Sequence, residues 1–323
     1  MKTILLFLSF FTSFSLLCAT TLKVAVIAPE GTTWAKSLKA TVDEINQSTA
    51  GRVKVKVYYG GTQGDEPDVL RKVRVGHLHG GIFTGKTLGE INGDVRVMEV
   101  PFTFFDNRDA AWKTLEKLTP YFNEKFESNG FVNLGFFEVG LIYLLSKKDV
   151  KNLDELKGLK IWSWEGDQVA LSFIKYLEMV PVPLASTDVL SSLSTGIIEA
   201  AYGPPVGFVA MQWYTNASYV VNFPVTYSMG AFLVDRKSWS KIEPADQATI
   251  RGICQKNLAQ INQSNIKDNQ ESFDILKQFG IKMIDFSNDD KKKVNLIRAE
   301  IIKILQGKVF SADALNRLEQ ARK

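Results

Sequence analysis

Asp154-Glu155-Leu156-Lys157-Gly158-Leu159-Lys160-Ile161-Trp162-Ser163-Trp164-Glu165 opens on an acidic helical turn and breaks at a Lys-Gly corner. A short apolar strand follows over 159–162, so one turn leads directly into one strand. Side chains alternate across a strand. Trp162 and Trp164 therefore share one face, and Ser163 and Glu165 the other. Two indoles on one face with polar residues behind them predict a strand edge that looks into a cleft.

Working outward, the same strand-and-helix alternation recurs. A continuous apolar strand covers 22–28, followed by a Pro-Glu-Gly turn with Thr32 or Thr33 as a helix cap. Trp34, Leu38, Val42 and Ile45 have helical spacing, and Gly51 ends that helix. Val53, Val55 and Val57 alternate with lysines, a half-exposed strand. Helices are predicted over 67–75 and 110–126, and strands over 81–84, 95–100 and 131–137. A second set begins near 142–145. It adds strands at 159–161, 180–182, 200–202, 220–223 and 231–234. Helices are predicted at 167–177 and 187–195, and a long one at 244–279. Strands alternating with helices imply an α/β architecture with mainly parallel sheets. No Pro/Ser linker separates the halves, so the domains are expected to be joined by continuous strands and helix, with the chain crossing between them more than once.

The chain has 323 residues, enough for one large or two medium domains. Its 45% apolar and 23% charged residues are ordinary for a globular protein. The net charge of +4 is dispersed, which argues against a nucleic-acid partner. Residues 1–19 read as a secretory signal, with one Lys and then a mainly apolar run over 4–17. That run is short for a membrane span. Soluble export is expected, with cleavage after Ala19. Lipidation of Cys18 is the alternative, disfavoured by the bulky Leu17 before it. After cleavage Cys254 has no intrachain partner.

Few residues suggest chemistry. Gly80-x-x-x-x-Gly85-Lys86-Thr87 matches a phosphate-binding loop in letters. Ile82 and Phe83 inside it fit a strand better, so the match is read as accidental. His77 and His79, the two histidines, are too few for a structural zinc site and offer no catalytic triad. Cys254 reads as a buried small apolar residue. No catalytic residue, metal or cofactor is expected. Aromatic side chains say more. Trp34 starts the first helix, Phe83 and Thr84 end a strand, and Phe137, Ile142 and Tyr143 flank the crossing between halves. Trp162, Trp164, Tyr202, Gly203, Pro205 and Phe208 belong to the second half. Strand ends and helix starts are where ligands bind in α/β sheets. The competing reading for each aromatic is core packing.

Several blocks, in order, resemble the solute-binding subunits of tripartite ATP-independent periplasmic (TRAP) transporters. They are Tyr59-Gly60-Gly61-Thr62-Gln63-Gly64-Asp65-Glu66 and Glu99-Val100-Pro101-Phe102-Thr103-Phe104, then the 154–161 block. Pro181-Val182-Pro183-Leu184, Thr187-Asp188-Val189-Leu190, the 193–199 run and Val234-Asp235-Arg236-Lys237-Ser238-Trp239 complete the series. The resemblance covers most of the mature chain. It implies a two-domain periplasmic-binding-protein fold of α/β class, with a central cleft and a long helix spanning both domains. Domain I would be 20–141 plus 228–268, and domain II 142–227 plus 269–323.

The resemblance also implies three polar ligand contacts, and all three positions differ here. The arginine that clamps an acid ligand falls on Trp162. A second arginine falls on Ile142, two residues after Gly140. An asparagine falls near Gly203, just before Pro204-Pro205. A carboxylate taken from water without a cation is costly. The expected ligand is therefore apolar or weakly polar, lipid-like or aromatic, and not a simple carboxylate. The implied partners are the membrane permease subunits and, by analogy with one branch of the family, a periplasmic tetratricopeptide-repeat protein. Two other readings stand beside a transport role: a sensing module presenting its closed form to a receptor, and a periplasmic enzyme on the same fold.

Overall fold

The computed structural model describes residues 19–105 and 107–323. The export segment and Cys18 lie outside the described residues. The first half builds β1 (Thr20–Ala25), α1 (Thr33–Ser48), β2 (Val53–Tyr58), α2 (Glu66–Arg74), β3 (Gly80–Thr84), α3 (Gly85–Ile91) and α4 (Arg108–Ser128). Two long strands follow at intervals, β4 (Phe131–Ser146) and later β8 (Tyr219–Asp235). Between them lie β5 (Lys160–Ser163), α5 (Gln168–Tyr176), β6 (Val180–Pro183), α6 (Val189–Thr195), β7 (Ala200–Gly203) and α7 (Pro205–Ala210). The chain ends with α8 (Arg236–Trp239), α9 (Pro244–Gln278), β9 (Lys282–Ile284), α10 (Asn288–Leu305) and α11 (Ala312–Ala321).

One sheet runs through both lobes in the order β2-β1-β3-β8-β4-β7-β5-β6, with β9 on β8. The outer pairs β1/β2, β1/β3, β5/β6 and β5/β7 are parallel. The expectation of a mainly parallel sheet fails at the centre. There β4 and β8 pair antiparallel along their whole length, and β3 and β7 join them antiparallel. Local pattern gives separate bounds here, 131–137 and, later, 220–223 and 231–234, while the halves are expected to be joined by continuous strands. In the structure, 131–137 and 142–145 are one strand, as are 220–223 and 231–234. These continuous strands are the covalent crossings between lobes. Of residues 95–100, expected as a strand, 95–99 lie in a 3-10 segment, Gly93–Glu99, and Val100 follows it. The letters of the phosphate-loop match fall on buried β3 and the start of α3, so no such loop exists there.

At the crossing, β4 loses register with β8 between Glu138 and Gly140. Gly140 has φ +110°, a conformation that side chains rarely adopt. The backbone groups freed by this bulge are met by one face of α9. Asn262 Oδ1 accepts from Glu138 N (2.8 Å). Asn265 Nδ2 donates to Glu138 O, and Asn269 Nδ2 donates to Val139 O (3.2 Å). At 1.5 Å per residue, the 35 residues of α9 span about 50 Å, long enough to bind both lobes. Its Ile250, Cys254, Leu258 and Ile261 pack into the first-lobe core with Leu38, Ile45 and Phe232. Leu276 packs into the second-lobe core with Leu145, Trp162, Phe208 and Trp213.

The C-terminal stretch divides between the lobes. Helix α10 lies on α5 of the second lobe. The last helix lies on the first lobe, against α4: Ser311 N donates to Asp94 Oδ1 (2.7 Å) and Lys117 Nζ to the Ala321 carbonyl (2.7 Å). Assigning all of 269–323 to domain II therefore needs correcting at α11, whose Leu318 is buried in the core shared with Phe122 and Phe126.

Candidate functional site

A cavity of about 560 Å³ opens between the lobes, at the ends of β1, β3, β5 and β7 and beside the β4/β8 crossing. Of the sequence candidates, Trp34, Thr84, Phe137, Ile142, Trp162, Trp164, Tyr202 and Gly203 line it. Four do not. Phe83 is fully buried in the core behind α3, and Tyr143 packs edge-on against Phe273 (5.0 Å). Phe208 is also fully buried and packs against Trp213, while Pro205 is buried at the start of α7. Alternation along strands explains Phe83 and Tyr143, each of which follows or precedes a lining residue and points to the other side.

The 154–165 block forms the turn and strand its residues suggested, but β5 is not a sheet edge: it pairs with β7 on one side and β6 on the other, and Ser163 behind the indoles is buried. A 3-10 turn covers Asp154–Leu156, Gly158 takes φ +76° at the corner, and β5 follows. Trp162 is only 2% exposed, so it forms a packed wall rather than a free platform. Tyr202 stacks on it at 4.9 Å and 29°, and Trp164 and Trp213 meet it edge-on at 4.9 and 5.5 Å. Its Nε1 donates to Leu184 O (3.0 Å). The indole thus fills the place that the resemblance gave to a clamping arginine. Ile142 is 5% exposed. At Gly203, a Cβ would lie 3.1 Å from the Phe208 ring, so a side chain there would fit only if the Phe208 ring gave way by a few tenths of an ångström.

Polar groups that sequence reasoning missed lie opposite. Glu66, which starts α2, accepts from Thr84 N (2.8 Å) and Thr84 Oγ1 (2.9 Å). Burial pushes its carboxyl up to about 7, although the Thr84 donors oppose the shift. Arg96, from the 3-10 segment, places Nη2 2.8 Å from Asp167 Oδ1 on the second lobe. Its Nε lies 3.0 Å from Glu99 Oε2 without hydrogen-bond geometry. Burial opposes the Arg96 charge, but Asp167 and Glu99 outweigh it and hold the guanidinium firmly protonated. Burial raises Glu99 despite Arg96. Ser228 Oγ donates to Glu99. Lys86, the other cation lining the cavity among the described residues, pairs with Glu90 one turn along α3. Lys86–Glu90 and Arg96–Glu99 are local in sequence, but Arg96–Asp167 is joined only by the fold, and nothing in sequence could pair it.

A second link crosses the cleft. Asp65, the N-cap of α2, accepts from Trp164 Nε1 (2.8 Å), Ser186 N (2.8 Å) and Ser186 Oγ (2.9 Å), all on the second lobe. Asp65 and Arg96 together tie the first lobe to the segment 164–186. The geometry is that of a closed two-lobe clamp around an aromatic cavity. No group of three or more His, Cys, Asp or Glu side chains is placed to hold a metal among the described residues. His79 instead accepts from the Lys23 backbone N–H through Nδ1 (3.0 Å). No helix among the described residues is long and apolar enough to cross a membrane.

Comparison with known proteins gives consistent results. The family model described as bacterial extracellular solute-binding protein, family 7, matches residues 24–307. A solute-binding protein of Verminephrobacter eiseniae is 22% identical over 94% of this chain and 90% of its own length. The 2,3-diketo-L-gulonate-binding periplasmic protein of Escherichia coli is 22% identical over 75% of this chain and 74% of its own. Among solved structures, a TRAP periplasmic solute-binding protein from Xanthobacter autotrophicus with bound β-D-galacturonate superposes with TM-score 0.87. It is 18% identical, covering 93% of this chain and 99% of that one. A Bordetella pertussis solute receptor binding pyroglutamic acid has TM-score 0.87 at 19% identity, covering 94% and 99%. At these identities the solved structures establish the fold alone. The two structures hold carboxylic acids, which gives no support to the expectation of an apolar ligand.

Proposed function

Because this chain belongs to the bacterial extracellular solute-binding proteins of family 7, we propose that it captures a small molecule between its lobes and delivers it to a TRAP-type membrane permease. Members of this family bind and hand over solutes, and the cavity described above is where this chain would do so. The export signal read at residues 1–19 would place it in the periplasm.

The finer reading is that the ligand is apolar or weakly polar. One observation carries it: the cations lining the cavity are already paired with the chain's own carboxylates, while the three clamp positions hold Trp162, Ile142 and Gly203. A ligand carboxylate would give up its water and find no uncommitted cation. Trp34, Phe137, Phe173 and Trp213 offer apolar surface instead. Burying a side-chain-sized apolar group contributes roughly 1.5–3 kcal/mol. The tetratricopeptide-repeat partner implied by resemblance finds no support in these comparisons.

Calorimetry on ligand-stripped protein tests the reading. D-glucuronate, D-galacturonate and pyroglutamate should give no saturable heat up to millimolar concentration. Micromolar binding of any of them would overturn the apolar reading and leave the solute-binding role in place.

A further inference from the structure

Asp167 stands at the start of α5 on the second lobe, where its carboxylate caps the helix by accepting from Val169 N (3.2 Å) and Ala170 N (3.3 Å). The same Oδ1 receives Arg96 Nη2 at 2.8 Å from the first lobe. Both residues line the cavity, and their side chains are 5% and 7% exposed. Arg96 Nε is buried with no hydrogen-bond partner. Arg96 is therefore a buried guanidinium at the wall of a ligand cavity, its Nη2 bonded to Asp167 and its Nε 3.0 Å from Glu99 Oε2, so its charge is met by residues of the chain itself.

We infer that Asp167 is the specificity-determining residue of this cleft: its carboxylate occupies Arg96 from within the chain and so excludes ligands that carry a carboxylate. The inference rests on the solute-binding reading above and names the residue that sets its ligand class. A ligand acid approaching Arg96 would meet Asp167 and Glu99 at close range in a desolvated site, where like charges repel strongly. Asp167 also has an entropic advantage over any diffusing acid, because the helix cap already fixes it. The same bond joins the lobes, so closure need not draw on a charge brought by the ligand. An anion-free ligand then adds only its apolar contacts to a clamp that the chain completes by itself.

The experiment uses D-glucuronate as the probe, with calorimetry on the mature chain and three variants. Asp167→Asn and Asp167→Ser both keep a good helix cap, and Ser also opens space beside Arg96. Each should bind D-glucuronate about ten- to a hundredfold tighter than wild type, the worth of one charge-assisted hydrogen bond. Adding Arg96→Met to either variant should abolish the gain. Failure of both folded single variants to gain binding would overturn the inference. So would a gain that survives Arg96→Met. If wild type retains an apolar ligand while the variants gain nothing, the inference alone fails. If wild type binds D-glucuronate at micromolar affinity, the ligand-class reading fails together with it.

Discussion

Trp164 Nε1 donates to Asp65 Oδ2 at 2.8 Å, and this bond joins a β5-end residue of the second lobe to a helix cap of the first. Trp164 lines the cavity and Asp65 is buried beside it, and hydrogen bonds to a charged acceptor are strong. Trp164→Phe keeps the ring and removes only the donor. Removing a hydrogen bond to a charged group costs about 1.5–3 kcal/mol. If closure and binding are coupled, the variant should bind the native ligand about ten- to a hundredfold more weakly. Small-angle scattering should show a larger radius of gyration than wild type. Unchanged affinity and unchanged radius would remove Asp65 from the closing mechanism.

Trp162 is expected to matter first for stability. It is buried among Tyr202, Trp164 and Trp213, so Trp162→Ala leaves a hole that its neighbours cannot fill. Such truncations cost about 3–5 kcal/mol. Trp162→Arg restores the residue that the resemblance places there, yet Ile142 and Gly203 supply no polar partner. That variant should melt well below wild type and take up organic acids only weakly. A Trp162→Arg protein as stable as wild type, with micromolar acid binding, would contradict this account of the wall.

Glu66 predicts a pH dependence. Burial raises its carboxyl from 4.5 to about 7, so the folded state holds the proton more tightly than the unfolded chain. The resulting stabilisation is complete below about 4.5 and fades as pH rises through about 7. By linkage, a shift of this size corresponds to about 3 kcal/mol. Between pH 5 and 8 the wild type should therefore lose stability that Glu66→Gln retains, since Gln still accepts from Thr84 N. Parallel denaturation curves for the two proteins across that range would show that Glu66 titrates normally.

The asparagines of α9 predict a hinge defect. Asn262, Asn265 and Asn269 serve the backbone of Glu138 and Val139, where the β4/β8 ladder is interrupted. Asn265→Leu leaves the Glu138 carbonyl without this donor. Leaving a buried polar group unpaired costs about 1–3 kcal/mol. Amide exchange should speed up at residues 138–142 more than elsewhere. Uniform protection along β4 would mean that the helix does not hold the crossing.

Local pattern carried most of the elements into view. The valine alternation at 53–57 and the 3.6-residue spacing after Trp34 each correspond to an observed strand or helix. The Lys-Gly corner before Ile161 is likewise a real turn into β5. Continuous strands joining the halves were expected, but local pattern could not say where they run: the strand read over 131–137 continues through bulges at Gly135 and Gly140 as one 16-residue strand. The 95–100 run is apolar because it is buried, and burial alone does not choose between a strand and a 3-10 turn. In the site, the aromatics were legible because β5 and β7 end there. The cross-cleft pairs Asp65–Trp164 and Arg96–Asp167 were not, since 99 and 71 residues separate their members. Charge pairing at that separation is a product of topology, and a single sequence contains no local signal for it.

Native mass spectrometry of the freshly purified mature chain, followed by extraction and identification of whatever it carries, tests the central claim most directly. A closed aromatic cavity with its cations internally paired should retain an apolar or weakly polar molecule through isolation. The account predicts an adduct of small-molecule mass that partitions into organic solvent and carries no carboxylate. Recovery of a sugar acid or other carboxylic acid in stoichiometric amount would contradict it.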